Sequence, residues 1–523
     1  MTGALSKFSI YTVILLLLTL SFPGCDIKSP TEGVKVLFNE APLTLISVVV
    51  VDAKTRQQIT AAESDSVLIE IDGPDKSYII DLTEKAATSF SSKRGFFNFA
   101  VSDIRPATPE NPVKITVIAD AVDYISTSKQ ISISSTKGET YTIALIKRNE
   151  PPEGISTTTV NEGVVKSEGE VTEEIIIVSK SDQETNMEVS LTVQKDTVIK
   201  DDKGEALIGE LKTEITNFDV QSDKSTNEIP GGLFTTILDK TGATEDIVFI
   251  PAAVVSLEIT DEMGNIAKTF DKPVEVSLEI PGETYNPETG TTITNGDAIP
   301  IWNYNEKNTQ WEYHSESLAY GPNEKGNYEV IFSITHMSYW SGGWEDETET
   351  ICDEGLTIHL TGDFNAIEVK IRKHNEGSYL SILEKSINSS YPHVHLTNTP
   401  GNTPVTIEAW YGSDIVGSVD VENLCGDDVD LYVSIPGQAV TFNVEVYDIN
   451  DHDKRMRPNR GIYIGENDSR KYVGYMKDGL ITVYGLTEGE EYLVWVFHED
   501  TWYSDTLSVD DRTYIELEFG VEP

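Results

Sequence analysis

Four places in this sequence bring together residue types able to do chemistry. In Ile334-Thr-His-Met-Ser-Tyr-Trp340 an imidazole, His336, stands two residues before a hydroxyl, Ser338, so a base and a nucleophile share one short stretch. The competing reading is a packed strand end, with Met337 and Tyr339 in a core and His336 structural. Asp448-Ile-Asn-Asp-His-Asp453 supplies side-chain oxygens from Asp448, Asn450, Asp451 and Asp453, the hard donors that Ca2+ takes. It lacks the Gly and closing Glu of an EF-hand loop, and Lys454 and Arg455 follow directly, so a solvated hairpin loop competes with a Ca2+ site. His393-Val-His395 places two imidazoles on one face of a strand, with no third ligand in view. Trp410, Trp495 and Trp502, with Tyr411 and Tyr503 beside them, could stack on sugar rings. Alternation puts Trp495 in phase with Leu493 and Phe497, toward a core, which leaves Trp502, expected in an acidic loop, as the glycan candidate.

No HExxH, GxSxG or phosphate-cradling glycine loop is present, so conventional catalysis is not expected and the chain is read as a non-enzyme. Its formal net charge is −48. Such a surface repels nucleic acid and anionic headgroups and keeps the protein in solution.

The elements that would position these residues are strands. Val, Ile, Thr, Ser and Tyr are abundant, apolar and polar residues alternate between Asp, Gly, Asn and Pro turns, and helical spacing is nearly absent. At 523 residues the chain is too long for one core. The expected fold class is all-β, a tandem array of β-sandwiches of Ig-like or prealbumin-like kind.

The first residues set the compartment. Lys7 precedes an apolar run, Tyr11 to Leu20, too short for a membrane span, which needs roughly 20 apolar residues. Ser21-Phe-Pro-Gly-Cys25 follows at once. The arrangement resembles a bacterial lipoprotein signal, with Gly24 well placed and with Phe22 and Pro23 departing from the usual pattern. The resemblance implies removal of residues 1–24, lipidation of Cys25, and a lipidated tether over 25–42. An ordinary secretory signal is the competing reading. The implied location is the cell envelope, lipid-anchored, with a lean to the outer membrane of a Gram-negative bacterium. Lipidation of Cys25 leaves Cys352 and Cys425 as an even pair in an exported protein, a reasonable disulfide.

Residues 43–149 run as a strand, a loop, several strands, then Asp123-Tyr-Ile-Ser-Thr-Ser128 and a last strand. The order resembles a carboxypeptidase regulatory-like, or prealbumin-like, sandwich, with Asp123 where that family has Gly. Residues 437–523 repeat the same logic and resemble the same family. Between them, 351–436 reads as a small β-domain closed by the disulfide. Residues 155–345 carry Asp201-Asp-Lys-Gly204, Pro230-Gly-Gly232, Asp261-Glu-Met-Gly264 and Ile299-Pro-Ile-Trp302, and read as a central module of one or two sandwiches. That succession resembles a module of bacterial surface lipoproteins. More distantly it resembles the paired β-sandwich domains of animal death-domain and inflammasome proteins, where a His-Phe-Ser sequence cuts its own backbone before the serine. The resemblance implies a self-cleaving module here, cut between Met337 and Ser338 with His336 moving the proton. The expected function is a membrane-anchored envelope lipoprotein with a structural, adhesive or binding role. A self-cleaving surface module and a glycan-binding accessory lipoprotein are the alternatives.

Overall fold

A computed structural model describes residues 44–521, apart from 60–65, 109–110, 135–138, 180–184, 347–350, 353–355, 374–384, 389–391, 397–398, 412–413, 427, 449–450, 459–460, 466–470, 499–500 and 511–513. Period-two alternation builds its strands. Val67–Asp72 buries Val67, Ile69 and Ile71 and exposes Leu68 and Glu70; Tyr328–His336 buries Val330, Phe332 and Ile334. The single α-helix among the described residues is Asp223–Thr226. The chain is all-β and built of tandem sandwiches, as its alternation requires.

One loop recurs at strand ends. Asp81, Asp201, Asp239, Asp261 and Asn323 each accept backbone N–H bonds from the residues two and four positions on, at 2.7–3.0 Å. The side-chain oxygen stands in for a backbone carbonyl and closes the turn. The residue three positions on takes a left-handed φ, and it is glycine in four of the five cases: Gly204, Gly242, Gly264 and Gly326, against Glu84. A sequence Asp-x-x-Gly between alternating runs is therefore a tight-turn signal here, and at Asp239 the turn closes a paired hairpin of Phe234–Leu238 with Thr244–Thr260.

Three sandwiches share one topology. In the first, Thr44–Asp52 pairs antiparallel with Phe96–Val101 and parallel with Glu139–Lys147. Val67–Asp72 pairs with Ser89–Ser92 and with Val113–Ala121, which continues to Thr127–Ile133. The last repeats this strand for strand. Gln438–Asp448 pairs antiparallel with Leu480–Leu486 and parallel with Tyr514–Val521. Gly461–Ile464 pairs with Lys471–Tyr475 and with Glu491–His498, which continues to Thr501–Ser508. The region of the disulfide is a further copy. Leu356–Asp363 pairs antiparallel with His393–Leu396 and parallel with Val429–Ser434, and Ala366–Lys373 pairs with Lys385–Asn388 and with Val405–Tyr411, which continues to Asp414–Val421. Each copy encloses its own apolar core. The first and the disulfide-bearing copies are also joined, because Glu139–Lys147 pairs with Lys385–Asn388 and one sheet runs through both.

The central region is a sandwich fused to a closed barrel. Thr244–Thr260 belongs to both. Its second half pairs with Gly209–Phe218 and so with Ile155–Val165, packing on a sheet of Ile175–Val178, Val189–Val193, Ile199–Lys200, Thr269–Ile280 and Tyr328–His336. Its first half pairs with Phe234–Leu238, then Gln310–Leu318, Ala298–Asn305 and Tyr339–Glu345, which returns to Thr244–Thr260 and closes the ring. The strand shifts register between Pro251 and Ala253, where it passes from one body to the other. The barrel core is aromatic: Phe249 stacks on Trp311 at 5.6 Å and meets Trp302 edge-on at 6.1 Å. Both indoles satisfy their N–H groups, Trp302 on Gly343 O at 2.9 Å and Trp311 on Pro230 O at 3.1 Å.

Candidate functional site

Ile334–Trp340 is the seam between this sandwich and this barrel. His336 ends the strand Tyr328–His336, Met337 is buried, and Tyr339 opens the next strand. The His336 ring packs on Trp340 at 5.2 Å, and His314 meets the same indole at 5.0 Å. Burial pushes the His336 imidazole below its ordinary range, His314 pushes the same way, and Glu312 opposes them. The Ser338 hydroxyl donates to the Tyr304 carbonyl at 2.5 Å, and the Ser338 carbonyl accepts from Leu257 N at 3.2 Å. None of His336, Met337 and Ser338 has a left-handed φ or a cis peptide bond. Ser338 is thus engaged through its hydroxyl and its carbonyl, and the His336 ring packs on Trp340.

Cys352 and Cys425 form a disulfide with a Cα separation of 5.6 Å. Cys25 lies outside the described residues, as does Asn450 of the Ca2+ candidate. The backbone of that candidate forms a hairpin of Gln438–Asp448 with Asp451–Met456, and the side chains of Asp448, Asp451 and Asp453 lie outside the description.

Two expectations for the tryptophans are corrected. Trp502 is the second residue of the strand Thr501–Ser508 rather than part of a loop, and it is half-buried. Its ring meets Tyr463 edge-on at 4.9 Å, and Tyr463 in turn meets Phe96 of the first sandwich at 5.7 Å. Trp495 is buried, but the core of its sandwich is lined by Val494 and Val496, the opposite phase. Trp495 pairs with Tyr463 and bonds Gly465 O at 2.8 Å. Trp410 lies in the disulfide-bearing sandwich, with Lys370 over its ring at 4.8 Å and Glu408 accepting from Nε1 at 3.1 Å. A shared aromatic platform does not form from these three contacts.

What the sequence did not reveal is a docking site between the first sandwich and the central region. Arg148 donates to Tyr124 O at 3.0 Å, to Glu258 at 3.1 Å, and to Glu214. Burial would lower the Arg148 pKa, and the two carboxylates more than offset it. Tyr339 donates to Ser126 O at 2.9 Å, Tyr304 lies 3.3 Å from the Ser128 hydroxyl, and Arg56 pairs with Glu228 at 2.7 Å. Ala53, Ile125 and Ile146 enter the same apolar cluster as Phe218 and Trp302. Arg148 is the signal that was available, the second of two cations, Lys147-Arg148, just before Glu150-Pro-Pro-Glu-Gly154. Beside this junction lies a cleft of about 540 Å³ lined by Lys129, Gln130, Thr236, Asn308, Gln310 and Leu396 among others. Hydroxyls and amides share those walls with apolar side chains such as Ile143 and Phe234 and with the charges of Lys114, Lys129, Glu228 and Asp246.

No family model matches the chain, and no curated protein matches it. Among solved structures, similarity reaches the Bacillus anthracis TIE protein at 9% identity and TM-score 0.13, over 70% of this chain and 57% of that one. Two B repeat units of the collagen-binding protein of Staphylococcus aureus are 12% identical, at TM-score 0.12, over 91% of this chain and 98% of that one. The full-length major pilin RrgB from Streptococcus pneumoniae is 9% identical, at TM-score 0.13, over 92% and 100%. At these scores the likeness carries no argument about function.

Proposed function

We propose that this chain is a lipid-anchored cell-envelope protein with a structural, adhesive or binding role and no conventional catalysis. The supporting observation is the way its parts are joined. A continuous sheet links the first and the disulfide-bearing sandwiches, and the Arg148 and Tyr339 contacts lock the first sandwich to the central region. Such a scaffold holds its loops in fixed relation, which is what a presenting or load-bearing surface protein needs. Residues 1–24 are the signal, 25–42 the tether from lipidated Cys25, and 43–149, 155–345, 351–436 and 437–523 the successive bodies. The membrane is the outer membrane of a Gram-negative cell. Self-cleavage between Met337 and Ser338 draws no support from a hydroxyl bonded to Tyr304. Glycan binding draws its support from the hydroxyl- and amide-lined cleft rather than from Trp502.

The test is fractionation of the full chain expressed in a Gram-negative envelope. Detergent-extractable membrane association that moves to the soluble fraction in Cys25→Ala supports the reading. A Cys25→Ala variant that partitions as the parent does overturns it.

A further inference from the structure

The disulfide-bearing sandwich sets two histidines opposite one another. Leu356–Asp363 and His393–Leu396 pair in a register that places His359 against His393, and directly opposed residues share a sheet face. Their inward neighbours Ile358, Leu360 and Val394 are buried in the core, which fixes the imidazoles on the outer face. The ring centroids lie 6.2 Å apart. On the other side of the same central strand runs Val429–Ser434, parallel, and Asp428 stands just before it. The Asp428 Oδ2 atom is 3.2 Å from His359 Nε2.

We infer that this outer face binds a divalent cation of the zinc class through His359, His393 and Asp428. Zinc bonds of about 2.0–2.1 Å to nitrogen and about 2.0–2.2 Å to oxygen, at tetrahedral angles, put a nitrogen and an oxygen ligand roughly 3.4 Å apart. The observed His359–Asp428 separation is close to that edge. At the same bond lengths and tetrahedral angles, two imidazoles on one cation have centroids roughly 5.2 Å apart, so the observed 6.2 Å must close by about 1 Å on binding. Imidazole selects zinc-class ions over Ca2+, so the site differs in kind from loose cation association with an acidic surface. The disulfide contributes as well. Cys425 ties the turn that leads into Asp428 to Cys352, four residues before Leu356, and so limits how far the carboxylate strays from the strand bearing His359. No three such side chains among the described residues are already closed around one point, so binding draws the His393 ring inward by a side-chain rotation. Water completes the coordination, and the site neither needs nor implies the lipid anchor.

The experiment is calorimetric titration of the full chain with Zn2+ alone, in physiological salt with excess Ca2+ to occupy the acidic surface. Ring C–H signals of the histidines are followed by NMR in the same titration. One equivalent bound, with two histidine spin systems shifting together, is expected. His359→Ala and His393→Ala should each weaken binding at least tenfold, Asp428→Asn by less, and His336→Ala not at all. The NMR readout on the parent protein stands even where a variant fails to fold. No stoichiometric binding in the presence of Ca2+, or binding that survives His359→Ala combined with His393→Ala, overturns the inference.

Discussion

The Tyr339 hydroxyl donates to the Ser126 carbonyl at 2.9 Å, joining residues 213 positions apart. Tyr339 directly follows His336-Met-Ser338, so the stretch that looks chemical in the sequence is where the first sandwich is pinned to the barrel. Its neighbour Ser338 performs the same service within the central region, through the Tyr304 carbonyl. The residue types of a reactive motif are here used as strand and domain fasteners.

Removing one fastener should loosen the junction without unfolding the sandwiches. Tyr339→Phe deletes one hydrogen bond and is expected to cost about 1 kcal/mol. Arg148→Ala leaves Glu214 buried with Lys212 as its remaining cation, at 2.6 Å, and should cost up to about 3 kcal/mol. Urea denaturation measures both, and limited proteolysis should show earlier cleavage around residues 147–154 in each variant. Unchanged proteolysis in Arg148→Ala would mean the junction is not held there.

Glu306 gives a pH dependence of definite sign. Burial pushes its carboxyl above the ordinary range, Lys268 pulls it partly back, and Glu258 and Asp120 push it further up. A carboxyl raised in the folded state contributes stability below its unfolded pKa and loses it as pH rises through the folded value. Glu306→Gln should therefore raise the melting temperature at pH 7 and leave it nearly unchanged near pH 4. Asp261 works in the opposite direction. Burial pushes it up, but hydrogen bonds from Asn265, Ile208 and Met263 outweigh that and hold it low. Its contribution is present at neutral pH and is lost as pH falls through that lowered value, so Asp261→Asn should cost most at pH 7. Melting curves across pH for the two variants check both signs.

The barrel seam has no room for a side chain at Gly343. A Cβ there would sit 2.7 Å from Ile250 O and 3.0 Å from the Phe249 ring and Pro251 Cα. Gly343→Ala must push two strands apart and should cost about 1–3 kcal/mol. Thermal unfolding would register it, with loss of near-ultraviolet signal from the Phe249, Trp302 and Trp311 cluster. A stability within error of the parent would show that the seam yields freely.

The Cys352–Cys425 bond closes a separation of 73 residues. In the chain-entropy argument a loop of that length contributes about 4 kcal/mol. Cys352→Ser with Cys425→Ser should destabilise that sandwich by this order and leave the others in place. Hydrogen exchange measured by peptide would show faster exchange confined to residues 351–436 and the strand Glu139–Lys147 that pairs with it. Uniformly faster exchange would contradict a local role.

Much of this fold was legible because alternation is a strong signal. Val67–Asp72 and Tyr328–His336 show it plainly, and Asp201-Asp-Lys-Gly204 and Asp261-Glu-Met-Gly264 mark real turns. Reading failed where a strand has two covered faces. In Leu493-Val-Trp-Val496 both phases are apolar, because Val494 and Val496 face the sandwich core while Trp495 packs with Tyr463 on the other side. Alternation alone favours the phase with the larger residues, Leu493 and Trp495, and that is the outer one. The kinship of residues 351–436 with the first and last sandwiches was also missed. Pairing order is set by contacts distant in sequence, such as Leu356–Asp363 with Val429–Ser434, and no local pattern encodes it. For the same reason His393 was legible as a possible ligand, and its neighbour His359 was not.

The central claim is an anchored, uncut scaffold, and the intact mass of the full chain expressed in a Gram-negative envelope tests it most directly. One species is expected that begins at Cys25, carries the mass of a diacylglyceryl-type modification there, and has no break between Met337 and Ser338. A Cys25 without lipid, or two fragments parting at Met337–Ser338 that disappear in Ser338→Ala, would contradict it.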